Sequence, residues 1–287
     1  GSMTAPIDDA PIGDAAIGDA AIDRRKTFAL TIAYDGTRYA GWQIQPNGLA
    51  IQQVVSDAVS KVVGHPVHVQ GSGRTDAGVH AIGQVAAFST ETWRVDAWRM
   101  AQAINGYLPR DIVVLASRRV VLGFDPIRSA IGKQYRYCIR TSRVPDPMRH
   151  TYHWWIPRPL DVAAMRAGAI HLLGTHDFKA FQTLGSVRKT TTRTVSRLEF
   201  FERPALAGIE WDIEIEADGF LYNMARNIVG ALVQVGRRRF SPQWIRDKLA
   251  SRERGTESQT APARGLCLER VDYPESIYID AESQTPE

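Results

Sequence analysis

Cysteine is scarce in this sequence. Cys138 and Cys267 are the only two, they lie far apart, and neither has metal-ligand spacing, which excludes a disulfide framework and points to a reduced, cytoplasmic compartment. Long apolar runs are missing too: no stretch approaches the length of a membrane span, and the acidic N-terminus is unlike a secretory signal. The seven histidines have no zinc-like spacing with cysteines or acids. No Walker-type loop is present, and the one glycine-rich stretch, residues 71–78, lacks both the lysine that cradles a phosphate and the third glycine of a dinucleotide fingerprint. Neither a metal nor a small-molecule cofactor is expected.

Positive charge, by contrast, is in excess. The formal net charge is +4, yet residues 1–23 hold five of the 31 acids and no Lys or Arg, so the rest of the chain carries +9. Eight Lys or Arg lie between Arg118 and Arg149 against two acids, Asp125 and Asp146, and they interleave with Tyr135 and Tyr137. Arg188, Lys189, Arg193 and Arg197 form a second group, and Arg237, Arg238 and Arg239 a third. Solubility alone accounts for a moderate excess, but bases mixed with aromatics suit a nucleic-acid surface better than a metabolite pocket.

A chain of 287 residues with 44% hydrophobic composition is long enough for one large domain or two ordinary ones. Gly1-Ser2 reads as an expression scar, and Ile7, Ile12, Ile17 and Ile22 recur with neither a helical nor a strand period, so residues 1–26 are expected to be a disordered acidic tail. Phe28, Leu30, Ile32 and Tyr34 alternate as a strand ending at Asp35-Gly36, and Ile51, Val54, Val55, Val59 and Val62 mark a helix face that stops at Gly64. Asp96 is placed to cap a helix reaching about Tyr107, and residues 112–116 are strand-like. A similar series follows. Residues 133–140 read as a strand with Tyr135 and Tyr137 on one face, Asp161 opens a helix, and the alternating acids of residues 209–216 predict a strand with one wet face. Met224, Ile228, Leu232 and Val235 form a helical stripe, Ser241-Pro242 starts another helix, and Leu266, Leu268 and Val271 suggest a last strand. The expected fold class is α+β: two similar α/β halves with mainly antiparallel sheets, residues 27–125 and 126–274, forming a central cleft, then a loose tail over 275–287.

The stretch Gly71-Ser72-Gly73-Arg74-Thr75-Asp76-Ala77-Gly78-Val79-His80-Ala81 sets three glycines around one arginine and one aspartate. Glycine permits sharp turns and close approach, so such a loop can hold a carboxylate at the floor of a cleft. The plain alternative is a tight turn in which Asp76 bonds its own backbone. Together with Tyr34-Asp35-Gly36, Gly41-Trp42-Gln43, Tyr135-Arg136-Tyr137, Met224-Ala225-Arg226-Asn227-Ile228-Val229-Gly230 and Gly265-Leu266, the stretch resembles the TruA family of tRNA pseudouridine synthases. The matches keep the family's order from about residue 27 to 274.

The resemblance implies isomerisation of uridine to pseudouridine in the anticodon stem-loop of tRNA, without metal or redox cofactor. Asp76 matches the family's catalytic aspartate, which either attacks the C1′ carbon as a nucleophile or removes a sugar proton to give a glycal. Arg226 matches the arginine that pairs with it. Tyr135 matches the tyrosine that packs on the target base and is the candidate for C5 deprotonation, and Leu266 an apolar residue against the base. Arg74 matches an arginine that helps displace the target nucleotide from its stem. His80 is read as structural. The family also implies a homodimer in which one tRNA contacts both subunits. Phe124-Asp125-Pro126-Ile127-Arg128-Ser129-Ala130 departs from the family pattern by one place at Arg128, which leaves one presumed RNA contact open. Two rival functions stay open at this point: a catalytically inactive tRNA-binding or chaperone protein on the same scaffold, and a hydrolytic N-glycosidase, although no matched block supplies the second acid or base that activates water.

Overall fold

The computed structural model describes residues 22–185 and 188–279, so most of the acidic tail and residues 280–287 lie outside it. In chain order, β1 (Lys26–Tyr34), α1 (Ile51–Val63), the two-residue β2 (Gln70–Gly71), β3 (His80–Thr90), α2 (Ala97–Asn105) and β4 (Ile112–Val120) come first. Then follow β5 (Gly132–Ser142), β6 (Trp154–Ile156), α3 (Val162–Ala169), β7 (Gly174–Asp177), β8 (Thr192–Ala205), β9 (Gly208–Ala217), α4 (Met224–Gly236), α5 (Pro242–Ser251) and β10 (Leu266–Asp272).

These strands form one mixed, mostly antiparallel sheet in the order β4-β1-β3-β10-β5-β9-β8-β7, with β2 on β3 and β6 on β5. The two α/β series therefore share a single sheet, and β10 is its seam. It runs antiparallel to β5, with Leu266 opposite Tyr137, and parallel to β3, with Cys267 opposite His80. Two apolar cores sit on either side of this seam. Phe28, Leu30 and Ile32 pack with α1 and α2, while Ile213 and Ile215 pack with α3, α4 and α5. Leu268 and Val271 fill the first core, Leu266 joins the second, and Tyr135 touches both.

Local chemistry explains most element ends. α1 stops at Gly64, and the Asp161 carboxylate caps α3 by accepting from the Ala164 N–H at 3.0 Å. Asp96 precedes α2 without a side-chain capping bond, and the helix ends at Asn105.

Two expectations need correction. Two of the four acids of β9 do not face water: Glu210 is fully buried and Asp212 nearly so, because arginines from neighbouring strands cover them, while Glu214 and Glu216 stay partly exposed. The C-terminal tail is not loose over residues 275–279. β4 is an edge strand, and its free backbone groups take up this segment, with Val121 N donating to Ile277 O at 2.8 Å and Ile279 N to Arg119 O at 3.1 Å, while Ile277 buries its side chain in the first core.

Candidate active site

The loop between β2 and β3 is held from behind by the two earlier motifs. Trp42 N donates to Thr75 O at 3.0 Å, and the Tyr34 and Thr75 hydroxyls lie 2.7 Å apart. Gly41 makes this closeness possible: its φ is +91°, and a β-carbon there would stand 2.5 Å from Thr75 O. Val79 N donates to Asp76 O at 3.0 Å, so the backbone of Asp76 does make the tight turn. Its side chain is then left to point elsewhere. His80 ties the loop's exit to other segments, accepting from Gly36 N at 3.0 Å and meeting Thr151 O at 2.9 Å.

Asp76 Oδ2 accepts from the Arg226 guanidinium at 3.0 Å across 150 residues of sequence, while Oδ1 has no hydrogen-bond partner among the described residues. Arg226 stands in the first turn of α4, and three oxygens fix it. Nε donates to Ala261 O at 2.8 Å, and the same terminal nitrogen that meets Asp76 lies 3.4 Å from Asn223 Oδ1. Ala261 N in turn donates to Arg226 O at 3.1 Å, so helix and segment hold each other. Asn227, a matched position without an assigned role, completes the brace: buried, it donates to Phe181 O at 2.8 Å and accepts from the Thr260 hydroxyl at 2.7 Å.

Tyr135 packs edge-on against Phe220, with ring centroids 4.8 Å apart. Burial first, and then the negative charge of Asp76, push its phenol well above the ordinary tyrosine range, so it stays protonated at neutral pH. That coupling places Tyr135 within electrostatic reach of Asp76. Leu266 is buried opposite Tyr137 in the second core, where Val79 of the loop also sits. Arg74 is exposed and makes no hydrogen bond or ion pair among the described residues. Arg128 is exposed as well, 3.8 Å from Asp125 of its own turn. Two cavities, of about 520 and 400 Å³, open near the loop's far end at Gly78 and His80, and Asp76 lines neither.

The basic groups behave differently from their count. Arg140 is fully buried, 3.1 Å from Asp146 and 3.6 Å from Glu210. Arg149 meets Glu210 at 2.9 Å, Arg136 meets Glu269 at 2.6 Å and Arg197 meets Glu214 at 2.6 Å. Much of this positive charge is thus paired with the protein's own carboxylates, and Arg140 is wholly internal. Among the described residues no group of three His, Cys, Asp or Glu side chains converges as metal ligands, and no helix is long and apolar enough to cross a membrane.

The residue pattern of the tRNA pseudouridine synthase family matches residues 30–125 and 169–274. The chain belongs to this family. The tRNA pseudouridine synthase A of Myxococcus xanthus is 44% identical over 248 residues, covering 85% of this chain and 91% of that protein. Those of Pelobacter propionicus and Moorella thermoacetica are 42% and 44% identical, covering 86% and 85% of this chain and 100% and 98% of theirs. Arg74 and Asp76 fall in the first matched segment, Arg226 and Leu266 in the second, and Tyr135 in the interval between them. The Asp76–Arg226 ion pair therefore joins the two segments that define this synthase family.

Proposed function

We propose that this chain converts uridine to pseudouridine in the anticodon stem-loop of tRNA, with Asp76 as the catalytic carboxylate. Family membership supports the reaction and the substrate class. The ion pair with Arg226 is the observation that favours Asp76, because it engages Oδ2 and leaves Oδ1 available to a sugar. Both candidate routes, attack on C1′ and removal of a sugar proton, start from that oxygen. Glycosidic cleavage frees the base, the base turns, and the bond re-forms through C5. Tyr135 serves first as a protonated wall against the base. To take the C5 proton it must hand on its own, and Asp76 is the carboxylate whose charge reaches it. Leu266 and Arg74 act in base packing and nucleotide displacement. The proposed working unit is a homodimer bound to tRNA, and sedimentation that finds only monomer at working concentrations would remove that part.

The reaction is tested with unmodified tRNA carrying tritium at uridine C5. The protein should release tritium to water with no strand damage and no free uracil, and Asp76→Asn should release none while folding normally. Retained tritium with bound wild-type protein refutes the isomerase, and free uracil would make the protein a hydrolase.

A further inference from the structure

The basic residues sort into two populations. Arg136, Arg140, Arg149, Arg197, Arg203 and Arg270 each meet a carboxylate at 2.6–3.1 Å. Lys133, Arg188 and Arg193 meet none among the described residues. Lys133 lies two residues before Tyr135 on β5, so both side chains leave the sheet on the same face. Its Nζ donates to Ser72 O at 2.8 Å, inside the loop that carries Asp76. A β-carbon on Gly73 would lie 2.8 Å from that nitrogen, so the loop runs close over the end of the lysine side chain. Across the sheet Lys133 pairs with Ala217, and Ala217 with Val195. Arg193 is two residues before Val195 on the same strand, hence on the same face.

Among the described residues no carboxylate forms an ion pair with Lys133 or Arg193. Arg193 donates to the carbonyls of Thr190 and Thr192 at 3.1 and 2.7 Å, and the one acid whose charge reaches it, Asp218, already accepts from Thr194 N at 2.9 Å. Burial and then Arg188 push Lys133 down to about 8, and the same two causes lower Arg193. Cations gathered and desolvated without a carboxylate cost free energy unless an anion joins them.

We propose that Lys133 and Arg193 form a phosphodiester-binding subsite beside the Asp76 loop, taking a backbone phosphate of the strand that carries the target uridine. The inference rests on the proposed function, since RNA supplies the anion. Because Lys133 also bonds the Ser72 carbonyl, the ammonium that receives the phosphate is the one that supports the loop presenting Asp76.

The test measures binding of a synthetic anticodon stem-loop over a salt series for wild type, Lys133→Met, Lys133→Arg and Arg193→Met. Each phosphate contact contributes about 0.7–0.9 to the slope of log K against log salt. Lys133→Met and Arg193→Met should each lose about that much, and Lys133→Arg should keep the wild-type slope. Replacing phosphates singly by neutral methylphosphonates should identify one position that weakens wild type markedly more than it weakens Lys133→Met. A wild-type slope in both folded methionine variants, or no such coupled position, overturns the subsite. The isomerase reading fails separately: wild type that binds without releasing tritium sinks that reading, while a reduced slope in the variants still supports the phosphate contact.

Discussion

Gly230→Ala tests how Arg226 is held. In an open helix interior this change stabilises by about 1 kcal/mol, because glycine there loses more backbone freedom than alanine. In α4 the opposite is expected. An added methyl would stand 2.7 Å from the Gln259 carbonyl carbon and 3.3 Å from Ala261 N, with the Gln259 oxygen closer still. That neighbour is backbone, so it has no rotamer to swing away. It is also tied to the helix through Ala261 N to Arg226 O at 3.1 Å and Arg226 Nε to Ala261 O at 2.8 Å. The segment must lift, which adds about 1–3 kcal/mol of overpacking and about 1.5–3 kcal/mol for a weakened charge-assisted bond. After the propensity gain, net destabilisation is about 1.5–5 kcal/mol, a fall in Tm of roughly 3–20 °C. Displacing the guanidinium by about 1 Å lowers kcat on the order of 100-fold with a smaller change in KM. Calorimetry and single-turnover tritium release read both quantities. A variant as stable as wild type with full kcat would show that residues 259–261 do not press on α4 and do not position Arg226.

Three further outcomes are expected. Arg140→Met removes a fully buried guanidinium from Asp146 and Glu210 and should cost about 3–5 kcal/mol in urea melts while leaving the salt dependence of RNA binding unchanged; a loss below about 1 kcal/mol would contradict its scaffold role. The folded pKa of Lys133, about 8, lies below the ordinary 10.5, so the unfolded chain binds more protons between those values, and stability relative to Lys133→Met should rise across that window by up to about 3 kcal/mol. A flat difference would mean that the ammonium is not desolvated. Burial pushes the Cys138 and Cys267 thiols up to about 12, so neither should react with a thiol reagent near neutral pH until the protein unfolds, and prompt labelling of native protein would refute their burial.

The elements legible in the sequence are those whose large apolar residues recur at a regular spacing, even where, as in α4, nearly every side is buried. β1, α1, β9 and α4 each carry large apolar residues at a period of 2 or 3.6, because one face of each packs on a main apolar core. β8 escapes this reading although it is the longest strand. Its register shifts between Val195 and Arg197, so Val195 is buried in one phase and Leu198 and Phe200 in the other. The three-residue β6 and four-residue β7 are too short to show any period. Asn227 lay inside a matched motif, yet its bonds go to Phe181 and Thr260, and no local pattern announces them.

By itself the sequence determined the amphipathic stretches, the membership of a family and one aspartate in a glycine-rich turn. Those features are written in local order. The tertiary structure alone decided that Arg226 meets Asp76, that Glu210 and Asp212 are covered, and that Lys133 and Arg193 have no carboxylate partner among the described residues where Arg136 and Arg140 do. Charge interactions depend on distance and burial, and in this sheet both are set by which strands lie side by side.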